Sequence, residues 1–398
     1  MSVITAINQL HELNSSLSKI WQFEVGSPIY SDIAVGDINA DGKMEIVFKS
    51  NDEELHVISS DGSKLWSFHL DDGTELERLF LDKDSVRVVC SSPVLADIND
   101  DGRLEIIIGS TNGRLYCIDS AGRKLWEFKT NDSINSTPLV ADINNDSIPE
   151  IVFGSNDHLL YALDSKGRQL WTFEAGLEIE SGVALAEFAG KPSILFGSND
   201  NHVYALSANG ELVWKFQTQG PVCATPMVGD LHGDGQKKVV VGSQDGLVYV
   251  LKHTGQLEWK LKTSGKIVSE VGLADINGDN KLEIVVTSCC YENNVLILSN
   301  TKDTIGSFGA GFWVTSSPII KDIDQDGNDE IIFGSYDHHL YILTFKRELK
   351  EYYRGELKQE VTLYNAECMI VGTPAVLEGR GTIIVTANGK GSVIALKI

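Results

Sequence analysis

The stretch DINNDSIPEIVFGSNDHLLYALDSKGRQLWTF, residues 142–173, decides the fold of this chain. It contains an acidic loop followed by three short apolar segments, EIVFGS, LLYALDS and QLWTF, and a further apolar segment, STPLVAD, leads into it. The separators SNDH and SKGR are rich in turn-forming residues, so each apolar segment is predicted to be a β-strand. One such unit therefore predicts four short antiparallel strands.

The same unit recurs along the chain. Acidic loops begin at Asp37, Asp97, Asp142, Asp230, Asp275 and Asp322, with degenerate copies at Glu187 and Glu378. Most copies are 43 to 47 residues apart, and one spacing is stretched to 60. A period of about 40 to 50 residues with four strands is typical of a β-propeller blade. We therefore predict an all-β, eight-bladed propeller with four-stranded antiparallel blades.

The two ends of the chain complement each other. The last unit, residues 373–398, offers three strands without a fourth that bears tryptophan, whereas SKIWQFEV, residues 18–25, is a fourth strand that lacks the three before it. Joining them hides the edges that an open ring would expose. We expect one propeller domain over 18–398, with a closure blade formed by 371–398 and 18–25, and a short helix or tail over 1–17.

Two family resemblances support this interpretation. IVFGSNDHLLYALDSKGRQLWTF, residues 151–173, resembles the repeat of quinoprotein-type (PQQ-like) eight-bladed propellers in its Gly-Ser turn, Tyr-Ala-Leu-Asp strand and outer-strand tryptophan. ADINNDSIPEIVFGS, residues 141–155, is similar to the FG-GAP repeat of integrin α-subunit propellers. The resemblance covers about residues 18–398. It implies a fold rather than an activity, because one fold hosts many functions.

Five acidic loops share Asp at position 1, Asn or Asp at position 3, Asp at position 5 and Glu at position 9. They comprise Asp37, Asn39, Asp41 and Glu45; Asp97, Asn99, Asp101 and Glu105; Asp142, Asn144, Asp146 and Glu150; Asp275, Asn277, Asp279 and Glu283; and Asp322, Asp324, Asp326 and Glu330. Alternating oxygen side chains on a tight turn suit Ca²⁺, which takes six to eight oxygen ligands. We predict up to about five calcium sites. The alternative is an acidic turn in which Asp and Asn bond to their own backbone without metal.

The remaining loops depart from the pattern. In the loop at Asp230 a lysine, Lys238, stands at position 9, where its ammonium group would replace the ion, so we expect no calcium there. The units at Glu187 and Glu378 lack the ligands altogether. In the loop at Asp142, Ser147 and Pro149 depart from the usual residues, and we expect a weaker site.

Antiparallel strand order sorts the connections onto two faces. The acidic loops and the SKGR-type turns share what we call the first face, and the turns between second and third strands share the second face with the blade-to-blade links. Four histidines lie in or beside second-face turns, namely His158, His202, His338 and His339. They are candidate metal ligands or acid–base groups, although exposed turn residues are the favoured interpretation.

Small residues stand six positions before each loop, at Ser31, Ser91, Ser136, Ser181, Ala224, Ser269, Ser316 and Gly372. Their neighbours include Asp32 and Glu270. At the crowded axis of a propeller such a ring is favoured as a packing requirement over a hydroxyl-lined pocket, yet it marks where a pocket could open.

Three further features of the second face are candidates. Cys289 and Cys290 resemble the vicinal disulfide of quinoprotein alcohol dehydrogenases, with Trp313 as the one candidate for a stacking tryptophan; two free thiols are the favoured alternative. Residues 71–90 and 354–371 break the period and are predicted to be insertions between an outer strand and the next inner strand. Such insertions are either recognition elements or decoration.

Composition limits the function. A net charge of −23 disfavours nucleic acid as a partner, since phosphate binding needs clustered Lys and Arg. No apolar run reaches the ~20 residues of a membrane span. The six cysteines show no disulfide or zinc spacing. We expect a monomer in the cytoplasm, or an exported protein if a leader has been removed.

The leading interpretation is a non-catalytic calcium-binding scaffold that presents the face opposite the metal loops to a protein or a glycan. The alternative is a propeller enzyme, either a calcium-dependent polysaccharide lyase or a quinoprotein-like oxidoreductase; no organic cofactor is expected. An enzyme should show a deep axial pocket with converging Lys, Arg, Tyr or His, and a scaffold should show a plugged or shallow axis.

Overall fold

The computed structural model describes residues 17–70, 90–290, 292–347, 357–377 and 381–398. Within these ranges the chain forms 32 strands and no helix. The strands make eight four-stranded sheets, and neighbours within each sheet run antiparallel. The predicted eight-bladed propeller is confirmed. The predicted helix or tail over 1–17 lies outside the described residues except for Leu17. The described part of the chain has no helix long and apolar enough to cross a membrane.

The strands of the first half of the ring follow one another in chain order. They are β1 (Ser18–Glu24); β2 (Ala34–Gly36), β3 (Glu45–Lys49), β4 (Glu54–Ser59) and β5 (Lys64–His69) in blade 1; β6 (Val94–Ala96), β7 (Glu105–Gly109), β8 (Arg114–Ile118) and β9 (Lys124–Lys129) in blade 2; β10 (Leu139–Ala141), β11 (Glu150–Gly154), β12 (Leu159–Leu163) and β13 (Gln169–Glu174) in blade 3; and β14 (Ala184–Phe188), β15 (Lys191–Ser198), β16 (His202–Ser207) and β17 (Leu212–Gln217) in blade 4.

The second half repeats this arrangement. Its strands are β18 (Met227–Gly229), β19 (Lys238–Gly242), β20 (Leu247–Lys252) and β21 (Leu257–Lys262) in blade 5; β22 (Gly272–Ala274), β23 (Glu283–Thr287), β24 (Val295–Leu298) and β25 (Thr304–Phe308) in blade 6; β26 (Ile319–Lys321), β27 (Glu330–Gly334), β28 (His339–Arg347) and β29 (Leu357–Asn365) in blade 7; and β30 (Ala375–Leu377), β31 (Ile383–Ala387) and β32 (Ser392–Lys397) in blade 8.

The core lies between the blades. The second strand of a blade, such as β7, is buried along its whole length. Val47 and Val57 of blade 1 pack against Ile106 and Ile108 of blade 2 in one buried cluster. A strand covered on both faces reads as a continuous apolar run rather than as an alternating one. This covering explains why the second strands are rich in Ile and Val at both parities.

Blade 8 is completed by the start of the chain. Its sheet has the order β1-β32-β31-β30, and β1 pairs with β32 through Trp21 opposite Ala395 and Phe23 opposite Val393. The pairing of the two ends is therefore as predicted, and it leaves the described ring without a gap between its first and last blades.

Six outer-strand tryptophans fasten neighbouring blades. Each indole N–H donates to a backbone carbonyl of the next blade: Trp21 to Ser60, Trp66 to Ser120, Trp126 to Ser165, Trp171 to Ala208, Trp214 to His253 and Trp259 to Asn300, over 2.9 to 3.3 Å. In five of these contacts the ring lies on a turn glycine with positive φ. At Gly210 a Cβ atom would lie 2.7 Å from the Trp171 ring, so glycine is required there.

The prediction for residues 354–371 is wrong over most of its length. Residues 357–365 are β29, the outer strand of blade 7, and they pair with β28 from His339 opposite Asn365 to Arg347 opposite Leu357. This hairpin is longer than those of the other blades, and its outer strand has no tryptophan. The strand was therefore not recognisable from the repeat pattern. Of the other predicted insertion, 71–90, only Cys90 lies among the described residues.

Candidate functional site

The acidic loops are closed by their own side chains. In the first loop, Asp37 accepts hydrogen bonds from the backbone N–H groups of Asp41, at 3.0 Å, and Gly42, at 2.8 Å. The position-1 aspartates of the other four loops, Asp97, Asp142, Asp275 and Asp322, accept the same pair of bonds. This geometry is that of an acidic turn capped on its own backbone.

The glutamate at position 9 is buried in all five loops. Glu45, Glu105, Glu150, Glu283 and Glu330 are between 1% and 4% exposed. One carboxylate oxygen of each accepts the backbone N–H of position 2 at 3.0 to 3.1 Å. Burial raises the pKa of all five carboxyls, to about 7 for Glu283 and Glu330. The glutamate thus ties the loop to the second strand.

The loop at Asp322 differs from the others. In three loops the Asn at position 3 donates its amide to the second oxygen of the glutamate, as in Asn144 to Glu150 at 2.7 Å. Asp324 replaces that Asn, and Oε1 of Glu330 is buried without a partner. Asp322, Asp324 and Glu330 each place an oxygen within 4.8 Å of the others, the one set of three carboxylates this close in the described part of the chain. Here the side chains could hold a hard cation.

The loop at Asp230, the lysine loop, carries Lys238 at position 9. Lys238 is 5% exposed, and its Nζ donates to the backbone carbonyl of Gln236 at 3.4 Å. That carbonyl occupies position 7, which the calcium pattern would use as a ligand. The ammonium group also lies 3.8 Å from Glu258, whose other oxygen is 2.7 Å from Nε2 of His232. A protein cation therefore stands beside this loop.

The loop at Glu187 has become a tight hairpin turn. Ala189 and Gly190 connect β14 to β15, and both have positive φ, 52° and 77°. Two consecutive residues with positive φ are typical of a type I′ turn. Because this turn is short, a cleft of about 360 Å³ opens on the first face, bordered by Asp142, Glu187 and Lys237.

The ring of small residues packs within the blades. The hydroxyl of Ser181 bonds to the backbone N–H of Gly197 at 2.7 Å, and Ser31 and Ser316 bond to their own second strands in the same way. These side chains are buried, which agrees with the packing role. Ala224 and Ser269 of this ring also line the axial cavity. All eight blades contribute the following residue to its wall, and we call this set the axial ring: Asp32, Ser92, Thr137, Gly182, Thr225, Glu270, Ser317 and Thr373.

The axial ring is held by hydrogen bonds from blade to blade. A side-chain oxygen of one blade accepts the backbone N–H of the preceding blade in five steps: Ser92 from Asp32, Thr137 from Ser92, Ser317 from Glu270, Thr373 from Ser317, and Asp32 from Thr373. The distances are 2.6 to 3.2 Å. These bonds draw the blades together at the axis.

The axial cavity that remains is small and acidic. Its volume is about 90 Å³, and Asp32, Glu180 and Glu270 lie in its wall together with residues that carry no positive charge. Burial, reinforced by the charge of Asp32, raises the pKa of Glu270, although a bond to Thr225 opposes this. Oδ1 of Asn135, a residue 5% exposed, lines the same cavity without a hydrogen-bond partner. The cavity therefore presents oxygen acceptors and negative charge.

An aromatic group lies on the second face near this cavity. Trp313 is 38% exposed, and its ring centroid is 5.4 Å from that of Phe312 and 6.0 Å from that of Tyr336. The link carrying Trp313 is fixed, because Tyr336 donates its backbone N–H to the Trp313 carbonyl at 2.9 Å. Thr315 of the same link reaches the cavity wall.

Blade 1 carries two substitutions that the sequence reading missed. Lys49 replaces the glycine of EIVFGS; it is 4% exposed, and its Nζ lies 3.5 Å from Glu53 and 3.3 Å from the Gly109 carbonyl. His56 replaces the tyrosine of the third strand, stacks on Phe48 at 5.1 Å, and leaves Nδ1 buried without a partner. The signal was present in EIVFKS and ELHVIS, which break the repeat at these two positions.

The candidate histidines and cysteines do not form a site. His158 and His338 occupy turn positions with positive φ, while His202 and His339 approach the aspartate of their own turn at 3.3 and 3.4 Å. No described metal-type cluster includes any of them. Cys289 and Cys290 are free thiols. These positions fit the interpretation as local turn residues.

Comparison with known proteins places the repeat in a family. The model of the lambda-carrageenase β-propeller domain matches residues 94–141, 133–220 and 208–306, which together exceed half of the chain. The chain belongs to the lambda-carrageenase β-propeller domain family. Two curated lambda-carrageenases, from Pseudoalteromonas carrageenovora and a Pseudoalteromonas species, are each 32% identical over 107 residues, 27% of this chain. The match spans only 10% of the length of these relatives.

Several solved structures share the fold of this chain. BamB from Moraxella catarrhalis superposes with a TM-score of 0.65 at 15% identity, covering 96% of this chain and 98% of BamB. The quinohemoprotein alcohol dehydrogenase of Comamonas testosteroni gives 0.65 at 11% identity, covering 96% and 76%. BBS1N in complex with ARL6DN gives 0.54 at 11% identity, covering 96% and 97%. These likenesses support a PQQ-like propeller fold, and the FG-GAP similarity stays a prediction.

The axis does not fit a quinone cofactor of the PQQ type, which is itself a polycarboxylate. The described residues of its wall include Asp32, Glu180 and Glu270 and no positively charged side chain. Its volume of about 90 Å³ is well below the ~300 Å³ at which ligand pockets usually begin. We therefore derive no chemistry through such a group.

Proposed function

We propose that this chain is a non-catalytic recognition scaffold whose second face binds a protein or a glycan, while calcium stabilises loops on its first face. The observation that carries the proposal is the small volume of the axial cavity. The axial ring leaves a cavity of only about 90 Å³, which is too small to enclose a substrate. Recognition would then use the rigid turns and links of the second face, as loops on a fixed scaffold commonly do.

The second-face turns are prepared for such a role. In four blades the turn aspartate accepts both a tyrosine hydroxyl from the third strand and a backbone N–H from a blade-to-blade link. The aspartates are Asp157, Asp200, Asp245 and Asp337. Each bond set joins a turn, a strand and a link at one carboxylate. A surface held in this way loses little conformational entropy on binding.

The binding face can be tested with a photo-crosslinking residue placed at single positions. Asn156 and Asn199 lie in second-face turns, and Asp61 and Lys166 lie in the first-face turns of their blades. In the source cells we expect adducts of defined mass from the second-face positions and none from the matched first-face positions. Adducts from the first face alone would contradict the proposal.

The calcium part of the proposal rests on the loop at Asp322. Three carboxylates within 4.8 Å of one another are unfavourable without a cation, since like charges at that distance repel. Ca²⁺ would offer the buried, unpartnered Oε1 of Glu330 a partner. The loops at Asp37, Asp97, Asp142 and Asp275 are proposed as further sites, and the Lys238 loop is not.

Thermal unfolding with and without chelator, together with metal analysis, tests this part. We expect calcium to raise the melting temperature, and Asp146→Ala to lower it in calcium much more than the matched Asp234→Ala in the lysine loop. Unchanged melting and about zero calcium per chain would remove calcium from the proposal, and equal shifts in the two variants would contradict the ligand assignment.

Family membership favours a second candidate, in which the chain acts on a polysaccharide. The curated relatives are named lambda-carrageenases, and the matching region is 32% identical to them. Incubation with lambda-carrageenan distinguishes the two candidates. A scaffold that recognises glycans would retard in a carrageenan-containing gel and leave the polymer length unchanged, whereas release of new chain ends would establish an enzyme.

A further inference from the structure

The geometry points to an arginine side chain of a partner protein as the ligand of the axial cavity. We infer that the side chain enters from the second face and pairs its guanidinium group with Asp32 and Glu270. This inference rests on the proposed function, and it names the chemistry by which a protein partner would be recognised.

Charge favours a cation in this cavity. Asp32, Glu180 and Glu270 line it, and among the described residues of its wall none is Lys, Arg or His. The whole chain carries a net charge of −23. An anionic ligand would meet repulsion from the cavity wall and from the protein as a whole, and a basic segment would be attracted.

The hydrogen-bonding groups of the wall favour a ligand that only donates. Asn135 is one of the residues that line the cavity, and its Oδ1 is buried without a hydrogen-bond partner. A buried acceptor without a donor is costly, so a group that supplies one gains binding free energy. Guanidinium carries five N–H donors and no acceptor, and its planar fork suits carboxylates at two points.

The spacing of the carboxylates favours a guanidinium group over a metal ion as the ligand. The only three carboxylates of the described chain whose oxygens approach within 4.8 Å of one another are those of the Asp322 loop. The three axial carboxylates thus do not all lie within this distance of one another. A fork of N–H groups can bridge acceptors that one ion cannot reach together.

The size of the cavity favours an arginine side chain over a sugar as the ligand. The cavity of about 90 Å³ corresponds to roughly three water molecules at ~30 Å³ each. A guanidinium group on its narrow stem is of this size, and a pyranose ring with its hydroxyls is larger. Tyr30 is also a residue of the wall, and guanidinium groups interact favourably with aromatic side chains.

Titration with three small probes tests the inference. Nα-acetyl-arginine methylamide is the ligand probe, the citrulline analogue is its uncharged isostere, and the lysine analogue carries charge without the fork. Binding is followed by calorimetry and by the NMR signals of the axial threonines. We expect saturable binding of the arginine probe, at least tenfold weaker binding of the lysine probe, and no measurable binding of the citrulline probe.

Amide variants locate the binding site. Glu270→Gln and Asp32→Asn remove charge but keep an oxygen acceptor, so the axial ring should persist. We expect each to weaken the arginine probe at least tenfold. Glu178→Gln is the matched control. It removes one negative charge from a nearby blade-to-blade link, and the Glu178 side chain does not line the cavity. Circular dichroism verifies that the variants are folded.

The outcomes are distinguishable from those of the proposed function. Equal binding of the arginine and citrulline probes, no binding of the arginine probe, or undiminished binding by the Glu270→Gln and Asp32→Asn double variant would overturn the inference. If crosslinking still occurs through the second face, the recognition proposal survives that failure. If crosslinks form on the first face alone, the recognition proposal fails whatever the arginine probe does.

Discussion

Thr373 donates its backbone N–H to Oδ1 of Asp32 over 2.6 Å, although 341 residues separate the two in sequence. The bond joins blade 8 to blade 1 at the axis, whereas β1 and β32 pair with each other within blade 8. It is the one step of the axial ring in which a carboxylate replaces a hydroxyl as acceptor.

Asp32→Ala should destabilise the protein, because the N–H of Thr373 loses its acceptor. We expect a loss of about 1–3 kcal/mol in the free energy of unfolding, the usual cost of a buried polar group left unpaired. Asp32→Asn keeps an oxygen at the same place and should cost less than half as much. Urea unfolding measures both, and equal losses would show that the hydrogen bond is not the cause.

Asp324→Asn should have opposite effects with and without calcium. In chelator the new amide can donate to Oε1 of Glu330, as Asn144 does to Glu150, so stability should rise by about 1 kcal/mol. In calcium the variant should lose the part of the thermal shift that this loop supplies. Asn144→Asp is the mirror control and should lower stability in chelator. A destabilised Asp324→Asn in chelator would contradict the argument.

Gly210→Ala should destabilise more than Gly190→Ala. Both glycines have positive φ, 79° and 77°. Alanine at either position is therefore strained by about 1 kcal/mol. Only Gly210 lies against a tryptophan ring, 2.7 Å from where the new Cβ would be, while Gly190 has nothing within 4 Å. Thermal unfolding of the two variants isolates the Trp171 contact. Equal shifts would mean that the ring moves away at no cost.

Lys49 and Glu53 should be strongly coupled. Lys49→Met leaves the carboxylate of Glu53 without its partner in a setting only 12% exposed, and we expect a loss of about 3 kcal/mol. Adding Glu53→Gln should restore most of that loss, since a neutral amide can still accept from Ser110, which now donates to Glu53 at 2.8 Å. A double-mutant cycle in urea gives the coupling free energy, and additive losses would refute the pairing.

His56 should make the protein less stable in mild acid. Burial lowers the pKa of His56 below its usual 6.5, and the charges of Glu54 and Asp52 oppose this without reversing it. The unfolded chain therefore binds the proton first, so stability falls as pH drops below about 6.5 and is fully present above it. His56→Tyr, which introduces the tyrosine found at this position in other blades, should reduce the loss of stability at acidic pH. Unfolding at pH 5 and pH 7.5 compares the two, and an unchanged slope would exclude His56.

Much of the architecture could be predicted because turn-forming segments separate the strands in each repeat. SNDH and SKGR fix two turns in each blade, and the pairing of SKIWQFEV with the last unit follows from a missing strand at each end. Strand β29 escaped prediction because LKQEVTLYN lacks the tryptophan that marks every outer strand from Trp21 to Trp259. That strand is identified by its partner, β28, rather than by its own composition.

The candidate site was less predictable. The acidic pattern locates the loops and shows Asp324 where Asn144 stands in another loop, but only the structure shows that Asn144 donates to Glu150 while Oε1 of Glu330 has no partner. The sequence shows Asp32 and Glu270 only as neighbours of the small residues. Their convergence with Asn135 depends on closure of the whole ring, which no local window of sequence contains.

The closure blade has a consequence for biosynthesis. Glu24 bonds to Ser392, a residue made 368 positions later, so β1 must wait as an unpaired edge while nearly the entire ring is translated. Until β32 emerges, that waiting edge is a place where a chaperone, or a second nascent chain, can bind. Slow translation should therefore be more hazardous to this protein than to one whose sheets are each complete as soon as they leave the ribosome.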